Sequence, residues 1–575
     1  MMMKKQINVS IFATSIFAAL FLMCVTGHAQ FTPADFFKDS SGCQGCHNGI
    51  SDKSGDASFG VHWRASVMAN ASNDPYWRAS VRRETIDHPK AATAIEDKCA
   101  TCHMPMTRFS QKQNGQSGQV FAHLPDSEGR VTGADALFAK DGVSCSVCHQ
   151  IQDKSLGEES SFTGGFQIDV TKPAGDRAVY GPFEVEKGVR SVMNSASGYS
   201  PQKSEHIQKS ELCATCHTLY THALDDAGRE TAVLAEQVPF LEWQHSDYAD
   251  AASCQDCHMV LADGPMAISS VLGSPRENVQ KHVFRGGNAF LLSMLGAFSD
   301  ELFLNTSATE LQRTRTATIE QLQQNAATLE LSVRPLTEGD TQISALVTVI
   351  NNTGHKLPTA YPSRRVWIQL TVKDDHQAIV FESGRFYDGK IRGNDNDRNA
   401  RRFEPHYDVI TSSEQVQIYE AILGDSQNRV TTGLLQATDY LKDNRIVPAG
   451  FDKETAHSDI AVKGAARDDI SFGDGLDKVA YEVPLPPAQG TYTVTANLWY
   501  QPIGYRWAVN LNATEAREAA DFLRMYRRMD KNQTVVKLAE TTVKTTVLPS
   551  LTITDADRAA AKQAAALQAE TENLD

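Results

Sequence analysis

Five pentapeptides in this chain have the residue types and spacing to do redox chemistry. They are CQGCH at Cys43–His47, CATCH at Cys99–His103, CSVCH at Cys145–His149, CATCH at Cys213–His217 and CQDCH at Cys254–His258. With 11 cysteines and 17 histidines in 575 residues, chance supplies only about 0.006 such patterns. Two cysteines three apart reach the two vinyl groups of one porphyrin, and the histidine that follows binds the iron from one face. Disulfides would not require a histidine after every second cysteine. A structural zinc site pairs two CxxC arms and does not repeat one arm five times. The pattern therefore points to five covalently attached haems c. Cys43, Cys46, Cys99, Cys102, Cys145, Cys148, Cys213, Cys216, Cys254 and Cys257 are the attachment residues, and His47, His103, His149, His217 and His258 the proximal ligands. The eleventh cysteine, Cys24, lies in an N-terminal apolar stretch. No cysteine is left for a structural disulfide, a catalytic thiol, an iron–sulfur cluster or a lysine-ligated CxxCK variant.

The motif histidine fills one face of an iron, and the opposite face decides the chemistry. Two strong protein ligands close the metal, whereas an open face binds substrate. His206 stands seven residues before Cys213. His282 opens HVFRGGN, whose two glycines permit close backbone approach to a flat cofactor. His355, in NNTGHKLPTAYP, sits where a strand end runs into a proline-containing turn. With His62, His88 and Met68, whose thioether would raise the potential, these are the candidate distal ligands. His123, His222 and His245 read as hydrogen-bonding histidines, and Met104 and Met259 as packing at a haem edge.

The elements that position these residues follow from the spacing. Successive first cysteines are 56, 46, 68 and 41 residues apart. Roughly 55 residues per motif is too little chain for a separate apolar core, so the cofactors must themselves be the core, wrapped in short helices and loops. Residues 104–135 and 153–205 read as long connections with little regular sheet. A repeat, Trp63–Ala69 against Trp243–Ala249 with an echo at Trp77–Val81, reads as helical segments with Trp and Ser on one face. Two helices follow from Ala289, broken at Asn305–Ser307, with Glu310 completing a helix start. Beyond 328 the pattern becomes short, β-branched and alternating, as in TLELSVRP, QISALVTVIN, RVWIQLTVKD and TYTVTANLWYQ. One helix, Ala513–Met529, interrupts it. The expected fold class is multidomain α+β. A mostly helical and irregular multihaem domain (30–305) and a linking helix (306–327) precede an antiparallel β-sandwich-like domain (328–550) and a C-terminal helical tail (551–575).

Lys4 and Lys5, the apolar run Ile11–Val25 and Gly27-His28-Ala29 read as a secretory leader over 1–29. That places the mature chain in the periplasm or at the cell surface with no transmembrane segment. The formal charge of −15 becomes two units more negative without the lysines, which argues against nucleic acid as a partner and suits other redox proteins.

WRASVMANASNDPYW, IEDKCATCHMPM, DGVSCSVCHQI, SELCATCHTLYT, EWQHSDYA with CQDCHM, HVFRGGN, NNTGHKLPTAYPSRRVW and YLKDNRIVPAGF together resemble a bacterial multihaem cytochrome c family. It is related to the tetrahaem cytochromes that collect electrons from the hydroxylamine-oxidising haem enzyme. The resemblance covers most of residues 40–510 and makes this chain similar to a pentahaem member with a C-terminal β domain. It implies electron transfer through haem c outside the cytoplasmic membrane. In that group the tryptophan repeat ends in a haem-ligating histidine. Here Met68 and Tyr248 stand at those places, which makes the first a candidate His–Met site. The alternative function is a multihaem oxidoreductase acting on a small nitrogen or sulfur compound at one five-coordinate haem. No GxGxxG after a strand, HExxH, P-loop or GxSxG motif competes.

Overall fold

A computed structural model describes residues 30–126, 128–393, 395–485, 489–548 and 555–571. The expected leader, with Cys24, lies outside them.

Each CxxCH motif forms or ends a short helix. These are α1 (Ser41–His47), α3 (Ala92–His103), α4 (Cys145–Cys148), α5 (Ser210–His217) and α7 (Cys254–His258). One helical turn is what the spacing requires, because residues i, i+3 and i+4 share a face and so both thiols and the imidazole can be presented to one side. Between them, α2 (Pro75–Asp87) starts on Asp74, whose carboxylate accepts from the backbone N–H of Tyr76 and Trp77, with Pro75 preset for the first turn. A short helix, α6 (Pro239–Gln244), carries Trp243. The buried helix α8 (Ala289–Ala297) and α9 (Ala308–Asn325) follow, the latter opened by a Ser307/Glu310 capping box.

Two expectations need correcting. The connections are more regular than their glycine and serine content suggests. A helix spans Pro105–Gln113 and another Lys187–Ser197, where Val189, Val192 and Met193 recur at helical spacing, and Ala178–Gly181 pairs in parallel with Ser200–Lys203. The tryptophan repeat is also less helical than expected. Trp63 and Trp243 sit near the ends of their helices and the residues after them turn away.

Beyond Ala327 the chain is mainly sheet. A hairpin in the preceding region, β1 (Leu219–Leu224) and β2 (Glu230–Gln237), is followed by β3 (Ala327–Val333), β4 (Gln342–Asn351), β5 (Arg365–Lys373), β6 (Ile379–Ser383), β7 (Val409–Ile410), β8 (Ile418–Asp425), β9 (Val430–Thr431), β10 (Ala437–Asp443), β11 (Leu476–Pro484), β12 (Thr491–Gln501) and β13 (Val536–Thr546). A four-stranded sheet has the order β7-β11-β4-β3. A seven-stranded one runs β9-β8-β5-β12-β13, with β6 on β5 and β10 on β8. Alternation fixes the register: Val347 stands opposite Val479 and Leu331, and Leu370 opposite Ala496. Val347, Val349 and Val479 from one sheet and Val366, Ile368 and Leu498 from the other belong to one apolar cluster, all fully buried. Each such side chain contributes about 1.5–3 kcal/mol. The pairing is not wholly antiparallel, since β7 runs parallel to β11. α10 (Arg517–Arg528) falls inside the expected helix, and Phe522 and Tyr526 on it pack with Tyr76 and Phe290 in a second cluster. α11 (Asp555–Thr571) is the expected tail helix.

Ion pairs and caps tie α2 and the first tryptophan segment to later elements. Arg82 pairs with Glu518 at 2.9 Å, and Arg64 holds Glu310 with two guanidinium nitrogens, Nε and Nη2. The Glu84 carboxylate accepts from the backbone N–H of Leu434 at 2.9 Å.

Asp477, wholly buried on β11, accepts from the Tyr419 hydroxyl and Gln417 amide, while its other oxygen has no partner. Burial pushes its carboxyl up to about 7. Its folded-state pKa is raised above the ordinary 3.8, so the stabilisation is complete below that value and is lost as pH rises towards 7. Asp477→Asn should therefore remove a slope worth about 2 kcal/mol between pH 5 and pH 8. Chemical denaturation of both proteins at the two pH values checks this.

Candidate cofactor centre

A cavity of about 1570 Å³ runs through the motif region, walled by nine of the ten motif cysteines and all five motif histidines. It exceeds the roughly 300–1,000 Å³ of a pocket for one small ligand. All ten cysteines are free of disulfides. Thiols of different motifs are nevertheless near neighbours: Cys43 of Cys145, Cys102 of Cys216 and Cys213 of Cys254. This proximity orders the attachment points in space. The first motif neighbours the third, while the fourth neighbours both the second and the fifth. Cys148 lies close enough to Cys216 and Cys213 to feel their charge, which joins the third motif to the fourth.

The imidazoles are set for metal. Nδ1 donates to a backbone carbonyl in His47 (Ile268, 2.7 Å), His103 (Ala71, 3.1 Å), His149 (Tyr180, 2.6 Å) and His258 (Arg285). That bond fixes the tautomer and leaves Nε2 with the lone pair. Burial pushes His103 and His217 down to about 4 and His282 to about 3, and lowers His149, His258 and His355. Each is therefore neutral at physiological pH, the form that ligates.

Two of these rings face a second imidazole. His149 and His282 stand 6.1 Å apart between ring centres with planes 11° from parallel, and His258 and His355 stand 6.4 Å apart at 21°. Two metal–nitrogen bonds of about 2 Å, plus roughly 1.1 Å from each nitrogen to its ring centre, come to about 6.2 Å. His355 has its own Nδ1 on the Lys356 carbonyl at 3.0 Å. Both pairs thus have the separation of two ligands on one iron. Among the described residues no ring contact of this kind brings a second imidazole to His47, His103 or His217. Trp77 stacks on His103 at 4.3 Å and 6°.

The other candidates fare differently. His206 is 1% exposed, with Nε2 on the Ile151 carbonyl at 2.8 Å and Nδ1 on the Ser204 hydroxyl at 2.7 Å. With both nitrogens engaged, His206 is not set towards a second imidazole as His282 and His355 are. It is a strut between the third and fourth motifs. His62 and His88 lie off the cavity wall, and Met68 lies on it. Tyr248, at the place of the repeat's second histidine, donates its hydroxyl to the Asn352 carbonyl at 3.0 Å, beside the His355 loop. His123 meets the Gln111 amide and His245 the Asp452 carbonyl, both at 3.0 Å. His222, read from sequence as a hydrogen-bonding histidine, reaches the wall with Nδ1 2.7 Å from the Glu230 carboxylate. The two are close without a hydrogen bond, since His222 Nδ1 has no hydrogen-bond partner. Its sequence signal, an acidic residue across a hairpin, depends on a register that only the fold supplies.

The rest of the wall also fits porphyrins. It is largely apolar, while Arg285, Arg364 and Tyr500 bring polar groups to it. Arg285 Nε and the Tyr500 hydroxyl are buried without partners, placed to meet carboxylates. Near the second motif the wall carries Tyr76, Glu84, Lys98, Glu236 and Tyr361. Burial pushes Glu236 up to about 7, with the Thr221 hydroxyl pulling against it and the Glu84 charge adding to it. A separate group, His406 with Asp408 and Asp469, fails the test the motif histidines pass. His406 Nδ1 accepts from Gln417 at 2.8 Å and Asn444 at 3.1 Å, so Nε2 carries the proton and donates to Asp469 at 3.0 Å. A metal would have to displace that proton.

Replacing His206 with Ala should leave the haem absorption spectrum unchanged while costing about 2 kcal/mol, the order expected when buried hydrogen bonds are lost and a carbonyl is left unpaired. Denaturation monitored alongside the visible spectrum separates the two effects.

No family model matches the chain, and no curated protein matches it either. Among solved structures the chain is similar to one described as the crystal structure of a penta-heme cytochrome c552 from Thermochromatium tepidum. The two are 13% identical, with a TM-score of 0.49 over 88% of this chain and 98% of that chain.

Proposed function

We propose that the chain is an exported electron-transfer protein holding five covalently attached haems c. The observation that carries this reading is the two pairs of facing imidazoles, at 6.1 and 6.4 Å, each pair including one motif histidine. Ten thiols in CxxC pairs would hold the porphyrins, the five motif histidines would take one face of each iron, and His282 and His355 would take the far face at the third and fifth motifs. Bound there, the haems would supply five one-electron centres. The protein's part is to keep the imidazoles neutral and oriented, to exclude water with an apolar wall and to bring the attachment points of different motifs close together. Met68 and His222, both on the wall, are at hand for two of the three remaining irons, and His62 and His88, off the wall, are the other candidates. In this reading residues 30–305 hold the cofactors, 306–327 link, and 328–550 form a sandwich bracing them. The leader 1–29 directs export to the periplasm or cell surface, and 551–575 are an accessory tail. Among the described residues no helix is long and apolar enough to cross a membrane. The acidic chain suits a basic redox protein as donor or acceptor.

A second reading, a haem oxidoreductase acting on a small nitrogen or sulfur compound, is favoured by one feature. Glu236 is a buried acid titrating near 7, and it shares the wall by the second motif with Tyr76 and Tyr361. Such a group is suited to move a proton at neutral pH.

EPR of the oxidised protein separates the readings. The electron-transfer reading expects only low-spin signals, unchanged by hydroxylamine, nitrite or cyanide, and expects His282→Ala and His355→Ala each to turn one haem in five high-spin. A native high-spin signal that shifts on adding one of these ligands would instead establish the enzyme.

A further inference from the structure

Glu242 is buried completely on α6, in the motif region, yet its partners are all in the sheet region. One carboxylate oxygen accepts from the backbone N–H of Lys356 at 3.0 Å and from the Thr359 hydroxyl. The other lies 3.2 Å from the Arg445 guanidinium. Arg445 in turn grips Asp443 with two hydrogen bonds of 2.8 and 2.7 Å, and Asp443 takes the Lys356 ammonium at 2.7 Å. Four alternating charges, Glu242, Arg445, Asp443 and Lys356, thus form one buried array whose net charge is zero, each side chain at most 5% exposed.

The array encloses one short loop. His355 immediately precedes Lys356, so the residue whose N–H and ammonium are both held is the neighbour of the imidazole facing His258. From the other side the Asn351 amide donates to the His355 carbonyl at 2.8 Å and to the Ile446 carbonyl at 3.0 Å. Leu357 and Ile446 exchange a pair of backbone hydrogen bonds. The sheet region therefore grips the loop along its length, and among the described residues Glu242 is the charged group from the motif region that grips it too.

We infer that Glu242 is a positioning residue for His355: it latches the His355 loop onto the motif region, so that the sheet region's hold on this loop becomes a hold on the iron at Cys254–His258. This rests on the reading of His355 as that iron's far ligand. A carboxylate is required there. It must neutralise Arg445 and accept two hydrogen bonds at once, and a buried array losing one member leaves its neighbour's charge uncompensated. Gln keeps the size and one acceptor but removes the charge.

The test is carbon monoxide binding to the reduced five-haem protein, because CO needs an iron whose far ligand has left. His355→Ala should bind CO rapidly at one haem in five. Glu242→Gln should raise the CO rate at that same haem by about tenfold, since it weakens hydrogen bonds to a charged group. Thr359→Val, which disturbs no charge, should raise it by about threefold. The other four haems should keep their spectra in every variant, which a general loosening of the fold would not allow. If His355→Ala binds CO but Glu242→Gln and Thr359→Val behave as the native protein, the latch is wrong and the ligand reading stands. If His355→Ala itself binds no CO, the ligand reading fails and the latch falls with it. Should Glu242→Gln not fold, Thr359→Val decides: a native CO rate overturns the inference.

Discussion

The hydrogen bond from an imidazole Nδ1 to a backbone carbonyl sets the requirement that much of this chain meets. An imidazole offers iron a usable lone pair only when its other nitrogen holds the proton. A backbone carbonyl is the partner least able to swap roles, since it cannot donate. The carbonyls come from far along the chain: Ile268 is 221 residues from His47, while Ala71, Tyr180 and Arg285 are 32, 31 and 27 from their histidines. The long connections are therefore delivery routes. The segment carrying Tyr180 pairs with Ser200–Lys203, which fixes its height, and the chain after the fifth motif supplies Ile268 before His282 and Arg285 three residues after it.

This explains which parts of the centre could be seen in the sequence. The CxxCH helices were legible because attachment and ligation occur within one helical turn, a purely local constraint. Ser307 and Glu310 were legible for the same reason. The proposed far ligands were only half legible. His282 and His355, whose rings lie near motif histidines, carried local cues, glycines and a turn. His206 carried an equally good cue but is saturated by Ser204 and Ile151, and the Ile151 partner is invisible without tertiary structure. His222 shows the converse, since a β-hairpin register brings Glu230 behind it. The sheets were legible by alternation. The parallel strand Val409–Ile410 was not, because two residues carry no period.

The charge arrangement has a similar division. The −15 of the sequence describes the exterior, whereas the interior is built from compensated groups. Glu242, Arg445, Asp443 and Lys356 cancel one another. The cluster around Asp477 is satisfied mainly by neutral hydroxyl and amide donors and so holds a proton instead. Both devices keep a buried region electrically neutral. Only the first places two different regions of the chain in fixed relation. The second can lose its proton on a change of pH without moving a strand.

The proximity of thiols between motifs bears on how such a chain is made. Cys43 neighbours Cys145, Cys102 neighbours Cys216 and Cys213 neighbours Cys254. In each pair the sulfurs belong to different motifs. A chain that reached this arrangement in an oxidising compartment before its porphyrins were attached would present ready-made wrong partners. The crosslinks formed would join motifs instead of cofactors. For a chain loaded with haem as proposed, attaching each porphyrin before compaction would keep these thiols from meeting one another first.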